Sequence, residues 1–100
     1  MQKTVIKIWL QSAILALLIT LSGCETAPPV QEMSDARQAI SVAKEAGAGD
    51  VAPDDLLEAE ALLDSAQKNL AGRAYAQARR DALQAKQKAL NALAAIERKE

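Results

Sequence analysis

Cys24 is the residue of this sequence with the greatest capacity for covalent chemistry. It is the single cysteine among 100 residues, and the chain contains no histidine. A lone thiol cannot form a disulfide within the chain. Without an imidazole there is no histidine-dependent triad, general base or histidine metal site. The chemistry that remains open to Cys24 is that of a nucleophilic thiolate.

The segment before Cys24 is typical of a secretory signal peptide. Two lysines lie near the start of the chain, and an apolar run over residues 8–21 follows, which is short for a membrane span. The run leads into Leu21-Ser22-Gly23-Cys24, which resembles the bacterial lipobox. We therefore expect residues 1–23 to be a signal peptide that is cleaved between Gly23 and Cys24.

The lipobox implies a covalent lipid anchor on Cys24. Its thiolate would take a diacylglyceryl group as a thioether, and cleavage would free its amine for an N-linked acyl chain. Two or more chains hold a protein stably on a membrane, because each buried CH₂ contributes ~0.8 kcal/mol. The next residue is Glu25 and not the aspartate that favours inner-membrane retention, so we expect an outer-membrane lipoprotein that faces the periplasm. Apart from this lipid we expect no cofactor.

Three helical segments are predicted after a short tether. The tether, residues 24–32, contains Pro28-Pro29, which is typical of an extended spacer. Small and apolar residues then recur at alternating spacings of three and four, which predicts helices over about 33–48, 53–71 and 74–98. Ser34 is the expected N-cap of the first helix, and Gly72 is expected to end the second.

The expected fold is all-α, because no segment alternates polar and apolar residues as a strand would. Short connections force neighbouring helices to run antiparallel. This predicts a short antiparallel three-helix bundle, or a helical hairpin with a preceding helix, packed through a seam rich in alanine. The predicted seam consists of Leu56, Leu63 and Leu70 on the second helix and Tyr75, Ala78, Ala82, Ala85 and Ala89 on the third.

The charged residues are clustered by sign, although the formal net charge is only −1. Acidic residues concentrate over 50–60 and basic residues over 73–80. These clusters are either solvated surface or a means of steering a partner. The acidic cluster lacks the regular oxygen spacing and the closing glutamate of a calcium loop, so no metal site is predicted. The small net charge gives no overall attraction to nucleic acid, and we expect neither a nucleic-acid partner nor a small-molecule substrate.

Three motifs after the lipobox and the proline-containing tether carry a resemblance to a known family. They are Asp35-Ala36-Arg37-Gln38-Ala39-Ile40, Ala52-Pro53-Asp54-Asp55-Leu56, and the turn Ala71-Gly72-Arg73-Ala74-Tyr75 with Ala78-Arg79-Arg80 after it. This arrangement is similar to the small proteobacterial lipoproteins grouped as domain of unknown function 4398. The resemblance implies a periplasm-facing helical lipoprotein. It implies no catalytic residue, substrate or cofactor.

The predicted function is a structural or protein-interaction role in the bacterial envelope. We expect no enzymatic activity, because no hydroxyl nucleophile has a base beside it in a recognisable arrangement. The alternative is self-assembly, since the alanine seam resembles the alanine zipper of murein lipoproteins. The predicted partners are therefore the membrane, through the lipid anchor, and either another envelope protein or a second copy of the chain. Glycine and proline between the segments favour a folded-back bundle over a continuous rod.

Overall fold

A computed structural model describes residues 2–21 and 27–99 of the chain. Every regular element in these residues is an α-helix, so the predicted all-α class is confirmed. In chain order the helices are α1 (Gln2–Leu21), α2 (Val30–Glu45), α3 (Ala48–Val51), α4 (Pro53–Ala71) and α5 (Tyr75–Lys99).

The apolar N-terminal run forms α1, which is 20 residues long. The side chains of residues 2–14 are exposed to solvent. No helix in residues 2–21 and 27–99 is both long enough and apolar enough to cross a membrane. Packing between the described helices is carried by α2 to α5.

The start of α2 lies three residues before the predicted one. Pro29 occupies the N-cap position, and its carbonyl accepts a hydrogen bond of 3.1 Å from the backbone N–H of Met33. Both of these side chains are less than 2% exposed. Ser34, the predicted cap, instead lies exposed inside the helix. Burial of Met33 and Pro29 replaces a side-chain cap here, so residues 30–32 belong to the helix and not to the tether.

The first predicted helix also ends earlier than expected, because the helical backbone is interrupted at Gly47. This glycine has a φ of +96°, a left-handed conformation that glycine adopts at little cost. α2 therefore ends at Glu45, and a separate single turn, α3, follows. Pro53 then begins α4, because a proline at the first helical position lacks only an N–H that would have no partner. The range of α4 agrees with the prediction.

The turn between α4 and α5 closes with two backbone hydrogen bonds. The N–H of Ala74 donates to the carbonyl of Asn69 (2.8 Å), and the N–H of Arg73 donates to that of Leu70 (3.0 Å). This is the Schellman pattern, whose left-handed position is usually glycine. Here Arg73 occupies that position with a φ of +61°, whereas Gly72 has an ordinary negative φ.

The helices form a bundle in which α4 runs antiparallel to both α2 and α5. Glu58 near the start of α4 pairs with Lys88 late in α5, and Ser65 later in α4 bonds Asp81 earlier in α5. Glu32 near the start of α2 bonds Arg79 near the start of α5, so these two helices run parallel. α5 is the long central element, since it contacts α2, α3 and α4.

Two apolar clusters fill the space between the helices, and alanine is the commonest residue in both. The cluster nearer the α4–α5 turn contains Met33, Ala36, Ala66, Ala82 and Ala85. The cluster nearer α3 contains Ile40, Ala43, Ala48, Leu56, Ala59, Ala89 and Ala92. With so few large side chains in the core, the helices must approach closely to exclude water.

Candidate functional site

Among residues 2–21 and 27–99, Asp81 is the charged residue that the fold buries, with only 5% of the residue exposed. It lies on α5 and faces α4. Its Oδ2 accepts hydrogen bonds from Ser65 Oγ (2.7 Å) and Asn69 Nδ2 (2.8 Å), both on α4. Its Oδ1 accepts one from Gln77 Nε2 (2.9 Å), one turn earlier on α5. The four side chains form a polar cluster that joins the two helices, and we call it the Asp81 cluster.

Two opposing effects act on the pKa of Asp81. Burial by itself raises the pKa, because it disfavours the charged form. The hydrogen bonds from Ser65, Gln77 and Asn69, together with the nearby charge of Arg80, favour the carboxylate and outweigh burial. The pKa of Asp81 therefore lies below its ordinary value, and the group is ionised at neutral pH.

The geometry of the Asp81 cluster suits structure better than catalysis. Ser65 donates its proton to a carboxylate whose pKa is lowered, and such a carboxylate is a poor general base at neutral pH. No third group orients the pair in the manner of a nucleophile, base and orienter within the described part of the chain. The cluster instead fixes the register of α4 against α5, since its directional bonds are lost when one helix slides past the other.

Sequence reasoning missed the Asp81 cluster, although its spacing carried a signal. Asp81 lies three residues after Ala78 and four before Ala85, which places a charged residue on the buried stripe of α5. Ser65 and Asn69 are four apart on α4 and therefore share a face. A lone charge on a buried stripe predicts that polar partners face it, because an unpaired buried carboxylate is costly.

Arg79 attaches the segment that precedes α2 to the start of α5. Its Nε donates to Glu32 Oε1 at 3.1 Å, and its Nη2 donates to the backbone carbonyl of Ala27 at 3.0 Å. Arg79 and Glu32 are each about one-third exposed, so the pair is partly shielded from water. With Pro29 buried nearby in sequence, the described chain is attached to the bundle from Ala27 onward.

The two charge clusters predicted from the sequence lie at opposite ends of the bundle. We call the first the basic turn; it comprises Arg73, Arg79 and Arg80 of the predicted cluster, together with Lys68, around the α4–α5 connection. We call the second the acidic turn; it comprises Asp50, Asp54, Asp55, Glu58 and Glu60 around α3 and the start of α4. Residues 65–80 contain no acidic residue, and residues 46–67 contain no basic one. Basic side chains therefore concentrate at one end of the bundle and acidic ones at the other, and the carboxylates of Glu32, Asp64 and Asp81 lie beside three of the basic side chains.

The acidic turn shows no arrangement that could bind a metal ion. Among residues 2–21 and 27–99, no three aspartate, glutamate, histidine or cysteine side chains come close enough together to coordinate one. Two of the acidic side chains pair with lysines of other helices, Glu60 with Lys44 and Glu58 with Lys88.

A shallow groove of about 230 Å³ lies between α2 and α5. Asp35, Gln38 and Ala39 line it from α2, and Lys86 lines it from α5. Leu83 and Leu90 lie three residues before and four after Lys86, so they share this side of α5. They are 50% and 41% exposed, which makes them the most exposed large apolar side chains of that helix.

The predicted seam residues lie inside the bundle. Leu56, Ala78, Ala82, Ala85 and Ala89 are buried. Leu63 and Leu70 are partly buried and pack against the two apolar clusters, and Tyr75 is also partly buried. The predicted lipidation and sorting residues, Gly23, Cys24 and Glu25, lie outside the described residues.

Residues 31–100 match the family described as Domain of unknown function (DUF4398). The chain belongs to this family. The match begins one residue into α2 and includes α3, α4 and α5, so the DUF4398 domain is the helical bundle. No curated protein and no solved structure matches this DUF4398 chain.

Proposed function

We propose that this DUF4398 protein is a lipid-anchored lipoprotein of the bacterial envelope, with a structural or protein-interaction role and no catalysis. The observation that carries the proposal is the sequence Leu21-Ser22-Gly23-Cys24 at the end of an apolar run. Its context supports it, since the apolar run lies within residues 2–21 and the family match begins only at residue 31. An anchor at Cys24 would place the whole DUF4398 domain on the periplasmic side of the membrane.

The character of the bundle supports a role in binding or spacing. Its buried polar side chains, among the residues that the structure describes, belong to the Asp81 cluster, which joins two helices. Its surface carries opposite charges at the two ends and a shallow groove beside Leu83 and Leu90. Such a surface is suited to contacts with a membrane or a protein, which bury apolar patches and pair charges at their rim.

The lipid anchor is tested by mass spectrometry and fractionation. The full gene is expressed beside a Cys24→Ser version, and the N-terminal peptide of each protein is weighed. We expect the wild-type peptide to begin at Cys24 and to carry a diacylglyceryl and an N-acyl group, and Cys24→Ser to leave the membrane fraction. A matched Ser22→Ala version retains a small residue at the cleavage site and should remain anchored. Equal membrane binding of the wild type and Cys24→Ser would refute the proposal.

Self-assembly through the alanine seam is the alternative function. The burial of Ala78, Ala82, Ala85 and Ala89 inside one chain favours the folded-back bundle, because a zipper through those residues would require the bundle to open. Association through the exposed Leu83 and Leu90 would leave the bundle intact. Light-scattering mass of residues 25–100 at several concentrations separates these cases: we expect a monomer. An oligomer that Leu83→Gln dissociates would indicate the exposed leucines, and one that persists would favour the seam.

A further inference from the structure

The end of the bundle that carries the basic turn is also the end at which the chain approaches Cys24. Arg79 bonds both the Ala27 carbonyl and Glu32, so the body of the protein begins at Ala27. The backbone from Cys24 to Ala27 can span at most ~11 Å, even fully extended. This end of the bundle is therefore close to any surface that holds Cys24, whereas the acidic turn lies a helix length away.

Exposed positive charge surrounds this end. Arg73 is exposed at the tip of the α4–α5 turn. Arg80 is exposed as well; its Nη2 donates to Gln77 Oε1 at 2.9 Å, and the nearby carboxylate of Asp81 partly balances its charge. Lys68 is exposed nearby, although Asp64 at 3.0 Å partly balances its charge. Arg79 contributes a further charge that Glu32 partly neutralises.

Arg73 is not the residue that the turn geometry favours. A left-handed backbone conformation is strained for arginine and easy for glycine, and Gly72 is the immediate neighbour. The turn would form at least as well with glycine at position 73. What arginine adds there is a positive charge at the outermost point of the bundle.

We propose that the basic turn docks on the anionic phospholipid headgroups of the membrane that holds Cys24. The bundle then stands with its α4–α5 turn against the membrane and its acidic turn directed away. This inference rests on the lipid anchor of the proposed function. The anchor keeps the protein on the membrane, and the basic turn orients it, since each basic residue near an anionic surface strengthens association about fivefold. The same surface repels the acidic turn.

The test measures how close each end of the bundle lies to the headgroups. The full-length protein is purified with its native N-terminus and reconstituted into vesicles rich in phosphatidylglycerol. Lipid occupies the sulfur of Cys24, so an introduced cysteine is the only thiol available for a fluorophore. Ala71→Cys reports the membrane end and Gly49→Cys the far end, and both positions are exposed. Headgroup nitroxides should quench the label at position 71 and leave the label at position 49 bright.

Two charge variants separate docking from mere tethering. Arg73→Gln/Arg80→Gln should lower the ratio of docked to undocked bundle roughly 25-fold, because it removes two basic residues that contribute about fivefold each. The control Lys44→Gln/Arg98→Gln removes the same charge at the other end and should leave the quenching unchanged. Far-UV circular dichroism confirms that all variants remain helical.

The other possible outcomes overturn either the docking of the basic turn or the lipid anchor. Quenching at position 71 that survives in the Arg73→Gln/Arg80→Gln variant, or that is equal in phosphatidylcholine vesicles, overturns docking and leaves the anchor intact. Equal quenching at positions 71 and 49 does the same. Mass spectrometry of the Cys24 peptide from the same sample checks the anchor: an unmodified Cys24 overturns the proposed function, and docking falls with it.

Discussion

The helices are held together by different interactions at the two ends of the bundle. Near the basic turn, the Asp81 carboxylate joins α4 to α5 through three hydrogen bonds. Near the acidic turn, Ile40 and Leu56 pack among alanines without a buried charge in their cluster. Alanines allow close approach but resist sliding weakly, because their side chains interlock little. Both ends bury apolar side chains. We therefore infer that the Asp81 cluster adds directional bonds at the end near the basic turn (the polar end), which determine which residues face each other. The end near the acidic turn (the apolar end) depends on apolar packing.

The largest expected effect is at the apolar end, with Ile40→Ala. Removing most of a buried isoleucine leaves a cavity that small neighbours fill poorly, so unfolding should become easier by about 3 kcal/mol. Urea unfolding of residues 25–100, followed by circular dichroism, measures this. Val42→Ala is the matched control, because Val42 lies on the same helix but is exposed, and its effect should be under ~0.5 kcal/mol. Equal effects would mean that this cluster does not support the fold.

The next effect is at the polar end, with Asp81→Ala. The substitution leaves the Ser65, Asn69 and Gln77 donors without their acceptor, and should lower the free energy of unfolding by about 2 kcal/mol. Asp81→Asn keeps the shape and one acceptor oxygen and should cost about half as much. A wild-type stability in Asp81→Ala would show that water replaces the carboxylate without loss.

The same residue should give the polar end a pH dependence that the apolar end lacks. The pKa of Asp81 is lowered in the folded chain, so its contribution is complete above the unfolded pKa of about 3.9 and is lost as pH falls through the folded value. The difference in unfolding free energy between wild type and Asp81→Asn should be constant from about pH 5 to 7 and shrink below about pH 4. The Ile40→Ala difference should not follow this trend.

Smaller effects are expected from the glycines at the apolar end. Gly47→Ala forces alanine into a left-handed conformation and should cost roughly 1 kcal/mol. Gly49→Ala is its control, since neither glycine has an atom within 4 Å of an added Cβ and only Gly47 has a positive φ. Gly49→Ala should be neutral or stabilising by up to ~1 kcal/mol. Similar results for both would argue against the left-handed turn.

The smallest expected effect is a gain at the polar end. Arg73→Gly relieves the left-handed strain of arginine and should stabilise the turn by ~0.5 kcal/mol, since the greater freedom of glycine in the unfolded chain offsets part of the relief. Thermal unfolding of residues 25–100 measures the change. Gly72→Ala should also stabilise slightly, because its φ is negative and an added Cβ meets only ordinary contacts of 3.6 and 3.8 Å. A loss of stability in Arg73→Gly would mean that the Arg73 side chain supports the turn.

Much of this fold could be predicted from local pattern. The alternating spacing of three and four predicted that Ala78, Ala82, Ala85 and Ala89 share a face, and they are buried together. Pro53 marked the start of α4 because its missing N–H and fixed φ act within one turn of chain. The family resemblance drawn from the turn motifs is confirmed over residues 31–100. Lipidation of Cys24 remains a prediction.

Local pattern failed where helix ends and turn conformations depend on contacts with residues distant in the sequence. Ser34 is a good N-cap by type, yet α2 begins at Val30, because burying Pro29 and Met33 outweighs a solvent-exposed cap. Gly72 follows the last residue of α4 as expected, but the left-handed residue of the turn is its neighbour Arg73. The residue that adopts the left-handed conformation, Gly72 or Arg73, depends on the direction in which α5 leaves the turn. Packing of α5 against α4 sets that direction.

The sequence by itself therefore determined the helices, their apolar stripes and the order of the charges, since each of these depends on residues within a turn or two of one another. Only the tertiary structure decided the environment of Asp81, the hydrogen bond from Arg79 to the Ala27 carbonyl, and the placement of the basic and acidic turns at opposite ends of the bundle. The bonds that Asp81 accepts from α4 and those that Arg79 donates to Ala27 and Glu32 join residues 12 to 52 positions apart. Their physical reason is the packing of α5 against both a parallel α2 and an antiparallel α4, which brings three distant segments to one end of the bundle.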